Sequence, residues 1–241
     1  MQLRPYQQDA VDSAIAWMRK STEPALLGLS TGAGKSHIAA AIALWITQKT
    51  GKKVLVLQPS KELTSQNFEK YLATGEKASI FSASANSKCT RHNVVYATPK
   101  TVLNSIARFG DAFGAVIIDE AHQTTPTIKT IIDSIRAKNP MLRVIGMTAT
   151  PYRMGTGYIY QFDHTQTPVK RLSEDETISA FYHSLLYKIH TRELIEMHFL
   201  TDAHTDTDTN QIHYNTDNLT LNKMGQFDAK AVEQAFVGQG R

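Results

Sequence analysis

The sequence predicts a doubly wound α/β domain with a mostly parallel sheet and helices on both of its faces. Three observations predict it. Six short apolar segments alternate with helical segments between Leu26 and Pro151, the first of them leads into a glycine-rich loop, and the fifth ends in two carboxylates. The carboxyl ends of parallel strands meet at one edge of a sheet, where ligands bind. We therefore expect the polar residues after these strands to form one site.

Composition narrows the class of protein. A chain of 241 residues, 41% hydrophobic and 20% charged, can bury a substantial core. The net charge of +4 permits a nucleic-acid partner without demonstrating one, because the basic residues are scattered. The single cysteine, Cys89, the polar N-terminus and the short apolar runs predict a soluble cytoplasmic protein that has no disulfide, signal peptide or membrane partner.

The loop after the first strand, Ser30 to Gly34, is too small and too rich in glycine to continue that strand. A strand, a glycine loop and a helix in this order place backbone N–H groups and a helix N-terminus around one point, as a polyphosphate requires. Lys35 would reach the β- and γ-phosphates, and the Ser36 hydroxyl would bind Mg²⁺. The full pattern has glycine where this chain has Leu29, so we interpret the loop as a variant. An accidental turn is the alternative.

The fifth strand, Ala115 to Ile118, is the most apolar and is followed by Asp119-Glu120-Ala121-His122. Two adjacent carboxylates at the tip of a buried strand are costly unless they meet a cation. We expect Asp119 to hold Mg²⁺ and Glu120 to polarise an attacking water molecule. A solvated acidic turn is the alternative.

Polar residues elsewhere in the chain extend this site. Near the N-terminus, Gln7 can present its amide to an adenine edge while Arg4 or Tyr6 packs on the ring, and an ordinary amphipathic helix is the alternative. Ser60 and Thr98 each lie where a strand ends and a helix begins, which places them at the same edge of the sheet.

The pattern loosens beyond Tyr152. The segment Tyr158 to Phe162 is compatible with a strand, Ser179 to Ile189 mixes apolar and polar residues, and Arg192 to Leu200 is typical of a short helix. A run of Thr, Asp and Asn follows. We therefore predict a domain over residues 1–200 and a polar linker over residues 201–241.

With the loop and the carboxylates placed, the chain resembles the first RecA-like motor domain of superfamily 2 helicases over residues 1–163. The matching stretches are LRPYQ (the adenine-recognising glutamine motif), STGAGKS (motif I), QPSKELTSQ (motif Ia), ATPKTV (motif Ib), IIDEAH (motif II of the DEAH type) and MTATPYR (motif III). Several motifs in the right order are more specific than any one. The continuation through Phe162 is similar to the RadD branch, bacterial ATPases linked to DNA repair and recombination.

The resemblance implies a role for each matching residue. The nucleotide contacts are Arg4, Gln7, Thr31, Gly32, Ala33, Gly34, Lys35, Ser36 and His37; the Mg²⁺ ligands are Ser36 and Asp119; the catalytic residues are Glu120, Lys35 and Asp119; the residues that couple ATP to nucleic acid are His122, Thr148 and Thr150; and the contacts to the nucleic-acid backbone are Ser60, Lys61 and Thr98. Backbone contacts give affinity without sequence specificity.

The resemblance also implies the N-terminal half of an ATP-dependent DNA helicase or translocase, an ATP hydrolase that uses ATP and Mg²⁺ in DNA repair or recombination. Its expected partners are single-stranded or branched DNA, a single-strand-binding protein, and the second RecA-like domain of a parent protein. Nothing after residue 163 resembles that second domain with its arginine finger, so we expect this half alone to be nearly inactive. Arg153 is the one candidate replacement, and we expect it on the surface, facing the interdomain cleft.

Two alternatives remain open at this point. One is a non-catalytic module that binds nucleotide or nucleic acid, and the other is the motor subunit of a restriction or defence system. The combination of Lys35, Asp119 and Glu120 disfavours the first, because a pure binder has no need for Glu120.

Overall fold

A sheet flanked by helices is seen in the computed structural model, which describes residues 2–177, 180–202 and 232. The α-helices within these residues are α1 (Pro5–Lys20), α2 (Lys35–Thr50), α3 (Lys61–Leu72), α4 (Pro99–Leu103), α5 (Pro126–Arg136) and α6 (Thr191–Glu196). The strands are β1 (Ala25–Leu29), β2 (Lys53–Leu57), β3 (Ala78–Ser82), β4 (Ser87–Lys88), β5 (Val94–Ala97), β6 (Phe113–Ile118), β7 (Arg143–Thr148), β8 (Tyr152–Arg153), β9 (Gly157–Tyr158), β10 (Tyr160–Asp163), β11 (Lys170–Arg171) and β12 (Tyr182–Ile189). Single 3-10 turns lie at Ile106–Arg108 and Ala121–Gln123.

Ten of these strands form one sheet in the order β11-β10-β12-β1-β7-β6-β2-β5-β3-β4. Neighbouring strands are parallel except at the two edges, where β4 pairs antiparallel with β3 and β11 pairs antiparallel with β10. Strands β8 and β9 form a separate hairpin. The predicted fold class, a mostly parallel sheet with helices, is confirmed.

The core lies on both faces of this sheet. Every residue of β1 is buried, and its side chains alternate between two hydrophobic clusters, with Leu27 and Leu29 in one and Leu26 in the other. Helices α1 and α2 contribute to the first cluster and α5 to the second. Strands covered on both faces need apolar residues at every position, which explains the continuous apolar runs in the sequence.

The C-terminal third of the described chain differs from its prediction. The segment Tyr158 to Phe162 belongs to two strands, β9 and β10, and not to one. Strand β12, which the sequence did not predict, pairs in parallel with β1. Its pattern was obscured because polar residues such as Ser184 are buried within it, where the hydroxyl hydrogen-bonds to His164.

The helix predicted over Arg192 to Leu200 is shorter than expected and ends at Glu196. The linker predicted over residues 201–241 lies outside the described residues apart from positions 201, 202 and 232, so the division at residue 200 stays a prediction. None of the described helices is long and apolar enough to cross a membrane.

Candidate nucleotide-binding and hydrolysis site

The loop between β1 and α2 has the backbone geometry of a ligand cradle. Gly32 and Gly34 adopt left-handed φ angles of 83° and 79°, and the Ala33 N–H donates to the Ser30 carbonyl at 3.1 Å. Helix α2 begins directly after Gly34, so its first N–H groups face the loop. Gly28, the glycine nearest to the one the full pattern requires, lies inside β1 and takes no part in the loop.

The residues of this loop fit a nucleoside polyphosphate. The Ser30 hydroxyl oxygen is buried and has no hydrogen-bond partner among the described residues. Gly34 requires glycine on conformational grounds because of its left-handed φ, and a Cβ there would also displace the Gln7 amide nitrogen. Lys35 and Ser36 occupy the first turn of α2, which carries no acidic residue to compete with an anion.

Asp119 and Glu120 lie at the end of β6, separated from β1 by one strand, β7. Asp119 is only 8% exposed and accepts hydrogen bonds from the Asn67 amide at 3.3 Å and the Glu120 backbone N–H at 3.0 Å. Burial, and then the neighbouring Glu120 carboxylate, raise the pKa of Asp119. A buried carboxylate with these neighbours is suited to a divalent cation, because a cation relieves both effects.

Glu120 and Lys35 form an ion pair in which Oε1 and Nζ lie 3.3 Å apart. Their side chains are 25% and 16% exposed. Glu120 has a left-handed φ of 48°, unusual for a residue with a side chain, and such strain concentrates at functional sites. The fold therefore brings together the lysine predicted to bind phosphate and the glutamate predicted to activate water.

The three predicted coupling residues are joined by hydrogen bonds, and His122 also makes a longer polar contact with Glu120. His122 Nδ1 lies 3.4 Å from Glu120 Oε2 and 2.9 Å from the Thr148 hydroxyl. The Thr148 hydroxyl in turn donates to the Thr150 carbonyl at 3.2 Å and accepts from the Thr150 N–H at 3.1 Å. Burial lowers the pKa of His122, and Glu120 opposes that shift. These contacts link the end of β6 to β7 beside the carboxylates.

Arg153 is not the free surface cation that we expected. Its Nε donates to the His122 carbonyl at 2.6 Å and its Nη2 to the Thr124 carbonyl at 2.7 Å. The Thr124 hydroxyl also lies 2.9 Å from the hydroxyl of fully buried Tyr182 on β12. Arg153 thus fixes the backbone that follows Glu120. Its partners are backbone atoms, which leave no signal in the sequence.

The glutamine motif is attached to the phosphate loop. Gln7 is buried; its Nε2 donates to the Ala33 carbonyl at 3.0 Å, and its Oε1 accepts from the Arg4 N–H at 3.0 Å. The Tyr6 hydroxyl donates to the same Ala33 carbonyl at 3.1 Å. The exposed Arg4 guanidinium lies 4.7 Å from the ring of Phe199, a residue that the sequence did not assign to the site.

The predicted nucleic-acid residues follow β2 and β5, on the far side of β6 from β1. The Ser60 hydroxyl caps α3 by accepting from the Leu63 N–H at 3.3 Å, and Lys61 is exposed. The Thr98 hydroxyl donates to the Ser82 hydroxyl at 3.2 Å. These contacts place all three residues at one edge of the sheet.

A cleft of about 260 Å³ joins this region to the carboxylates. It is lined in part by Thr98, Lys100, Asp119 and Glu120. Gln58, which the sequence did not single out, also lines it; the side chain is 2% exposed, and its Oε1 has no hydrogen-bond partner within the described residues. The position of Gln58 inside the QPSKELTSQ stretch is the only sequence signal for it.

Residues 1–153, more than half of the chain, match the protein family described as the res subunit of type III restriction enzymes. The chain belongs to this family. The helicase relatives below agree with a first RecA-like domain of the superfamily 2 type.

The curated relatives that are DNA helicases by name include fml1 and mph1. The ATP-dependent DNA helicase fml1 of Schizosaccharomyces pombe is 29% identical over 164 residues, which cover 61% of this chain and 19% of fml1. The ATP-dependent DNA helicase mph1 of Neurospora crassa is 30% identical over 147 residues, which cover 52% of this chain and 12% of mph1. The chain therefore spans a small fraction of the length of the relatives it matches.

Two solved structures share the fold. The UvsW helicase of bacteriophage T4 superposes with a TM-score of 0.54 at 20% identity, over 78% of this chain and 60% of that one. The type ISP restriction-modification enzyme LlaGI, solved with a DNA substrate mimic, superposes with a TM-score of 0.57 at 18% identity, over 83% of this chain and 21% of that one. At these identities the likeness shows the fold alone.

Proposed function

We propose that this chain is the ATP-binding half of an ATP-dependent DNA helicase or translocase, and that it hydrolyses ATP with Mg²⁺. The observation that carries the proposal is the ion pair between Lys35 and Glu120 beside the buried Asp119. A protein that only bound nucleotide would gain nothing from holding a strained glutamate at this point.

Each residue of the pair has a second partner in the proposed reaction. Lys35 and the loop N–H groups would bind the β- and γ-phosphates, and Ser36 with Asp119 would hold Mg²⁺, which neutralises charge on the phosphate oxygens when it is bound. Once Lys35 turns to phosphate, Glu120 is free to orient a water molecule and accept its proton. His122 and Thr148 would pass the state of Glu120 to the backbone of Thr150, just beyond the end of β7.

Hydrolysis by this half alone should be very slow. The transition-state charge on the γ-phosphoryl oxygens needs a cation on the side away from Lys35, and an arginine in that position is worth about 10³ to 10⁵ in rate. Arg153 is unsuited to this role because the hydrogen bonds from its Nε and Nη2 to the carbonyls of His122 and Thr124 hold the guanidinium against the backbone of its own domain. We propose that the second RecA-like domain of the parent protein supplies the cation.

Within the superfamily, we assign the chain to the DEAH type and to the RadD-like branch. We propose that the parent protein acts in the cytoplasm, in DNA repair or recombination, on single-stranded or branched DNA. The support for these assignments is the sequence Asp119-Glu120-Ala121-His122, the continuation from Pro151 through Phe162, and the names of the DNA helicase relatives. A single-strand-binding protein is the proposed protein partner.

A motor subunit of a restriction or defence system is the second candidate. The family description favours it. We expect the two candidates to differ in substrate, with unbranched duplex DNA for a restriction motor and branched or single-stranded DNA for a repair motor. If unbranched duplex stimulates the parent protein's ATP hydrolysis and branched or single-stranded DNA does not, the restriction assignment is favoured over repair.

Phosphate release tests the proposal. The assay compares this chain, the parent protein and Glu120→Gln variants of both, with and without single-stranded DNA, and uses Glu69→Gln, at an exposed position of α3 outside motif Ia, as the matched control. We expect negligible turnover by the chain alone and DNA-stimulated turnover by the parent protein that only Glu120→Gln abolishes. Unchanged turnover in the parent Glu120→Gln variant would contradict the catalytic assignment. Fast, DNA-stimulated hydrolysis by the chain alone would contradict the need for a second domain.

A further inference from the structure

The segment from His190 to Leu200, here called the strap, leaves the sheet next to the phosphate loop. The Ile189 carbonyl, at the end of β12, accepts a hydrogen bond from the Ser30 N–H at 3.2 Å. Leu194 is fully buried in the core, and its carbonyl accepts from the N–H groups of Phe199 and Leu200 at 2.8 and 3.1 Å. These bonds turn the last residues of the strap back toward the nucleotide site.

The end of the strap contacts both parts of the predicted nucleotide site. The Phe199 ring lies 5.2 Å from the Tyr6 ring and 4.7 Å from the Arg4 guanidinium carbon. Leu200 packs on the phosphate loop, where a Cβ on Gly32 would come within 2.8 Å of the leucine methyl Cδ2. The strap therefore bridges the adenine motif and the loop that receives the phosphates.

The Arg4–Phe199 contact has the chemistry of a platform for a purine. A guanidinium is planar and has two faces; an aromatic ring on one face fixes its orientation and leaves the other for a second flat ring. The amide nitrogen of Gln7, three residues along, donates to the Ala33 carbonyl and to the Tyr6 hydroxyl, whereas its oxygen accepts only from the Arg4 N–H and retains a second lone pair. That lone pair can accept from the N6 amino group of adenine.

We propose that Phe199 completes the adenine subsite by holding the Arg4 guanidinium flat, so that a purine stacks on Arg4 while Gln7 reads its edge. Phe199 is then a positioning residue for base recognition and makes no contact with the phosphates. This inference rests on the proposed ATP site. It adds that the strap sets the preference for a nucleotide over bare polyphosphate.

Calorimetric titration with Mg²⁺·ADP and with Mg²⁺·tripolyphosphate separates base recognition from phosphate binding. We expect Phe199→Ala and Phe199→Leu to weaken ADP binding about three- to thirty-fold, the range of one cation–π contact, and to leave tripolyphosphate binding unchanged. Phe199→Tyr should retain the affinity for ADP. Phe199→Leu keeps most of the apolar volume, so it removes the flat ring without emptying the site.

Arg4→Ala should weaken ADP binding, and adding Phe199→Ala to it should produce little further loss, because Phe199 acts through Arg4. Equal losses for ADP and tripolyphosphate in Phe199→Leu, or no loss for either, would overturn the inference. If the wild-type chain binds tripolyphosphate and ADP equally well, the adenine platform is wrong and the phosphate site stands. If the wild-type chain binds neither ADP nor tripolyphosphate, the proposed ATP-binding function is wrong as well.

Discussion

The two sides of the sheet edge use their polar side chains differently. On the nucleotide side, at the ends of β1 and β6, Lys35 and Glu120 pair with each other, and Asp119 is buried with a raised pKa. On the nucleic-acid side, at the ends of β2 and β5, the Ser60 and Thr98 hydroxyls are occupied by a helix cap and a neighbouring hydroxyl. The first side has charges that a ligand would satisfy better than the fold does, while these two hydroxyls on the second side already have partners. Substitutions on the two sides should therefore act in different ways.

The largest stability effect should come from Arg153, which fixes the nucleotide side. Arg153→Ala removes two charge-assisted hydrogen bonds to the carbonyls of His122 and Thr124, at about 1.5 to 3 kcal/mol each. We expect a clear loss in the free energy of unfolding, measured by urea denaturation, and in the parent protein a loss of DNA-stimulated turnover. Arg91→Ala, at an exposed arginine, is the control and should change little. An unchanged unfolding free energy in Arg153→Ala would show that these bonds contribute nothing.

Asp119→Asn should separate stability from metal binding. Because the folded-state pKa of Asp119 is raised, the folded state binds this proton more tightly than the unfolded state, and stability falls as pH rises through the window between the two pKa values. Asp119→Asn removes this pH-dependent loss of stability and leaves a side-chain amide that can still hydrogen-bond to Asn67. We expect the free energy of unfolding of the variant at neutral pH to be at least as large as that of wild type. Each kcal/mol gained in this free energy should raise Tm by about 2 to 4 °C.

The same substitution should weaken the Mg²⁺ dependence of nucleotide binding, since it removes an ionised ligand. In the wild-type chain, acidification should abolish the Mg²⁺ dependence of nucleotide binding because it protonates Asp119. Since the pKa of Asp119 is raised, this loss should occur at a higher pH than it would with an exposed aspartate as the ligand. A variant that is less stable at neutral pH, with unchanged Mg²⁺ dependence, would assign Asp119 a purely structural role.

The smallest effect should be that of Ser60→Ala on the nucleic-acid side. The Ser60 hydroxyl accepts from the Leu63 N–H, and loss of such a cap costs about 0.5 to 2 kcal/mol. Nucleotide affinity should not change. Ser65→Ala, inside the same helix, serves as the control and should leave stability within about 0.5 kcal/mol of wild type. Equal free energies of unfolding for Ser60→Ala and Ser65→Ala would show that the Ser60 cap contributes nothing to stability.

The sequence predicted the central sheet well, and it named Lys35 and Glu120, which the fold brings together, for a physical reason. Strands buried on both faces produce continuous apolar runs, and a phosphate loop requires glycines and a lysine at adjacent positions, so both signals are local. The Lys35–Glu120 pair then followed from the shared edge of a parallel sheet, although no motif specifies their distance.

What the sequence did not predict depends on contacts between distant segments. Strand β12 was hidden because Ser184 is buried against His164, which breaks the apolar pattern. Phe199 reaches Arg4 only because β12 returns the chain beside β1. Arg153 binds two carbonyl groups, and every residue has one. No spacing rule identifies contacts of these kinds.

The two sides of the edge should serve two different ligands, and one crossed measurement tests this division most directly. Lys35→Ala and Lys61→Ala each remove one lysine, and each variant is titrated with Mg²⁺·ADP and with single-stranded DNA over a range of salt concentrations. We predict that Lys35→Ala weakens ADP binding by about thirty-fold or more and leaves DNA binding intact. Lys61→Ala should weaken DNA binding, lower its salt slope by about one and leave ADP binding intact. Equal ADP affinity in Lys35→Ala and wild type, or parallel losses of both ligands in both variants, would contradict the account.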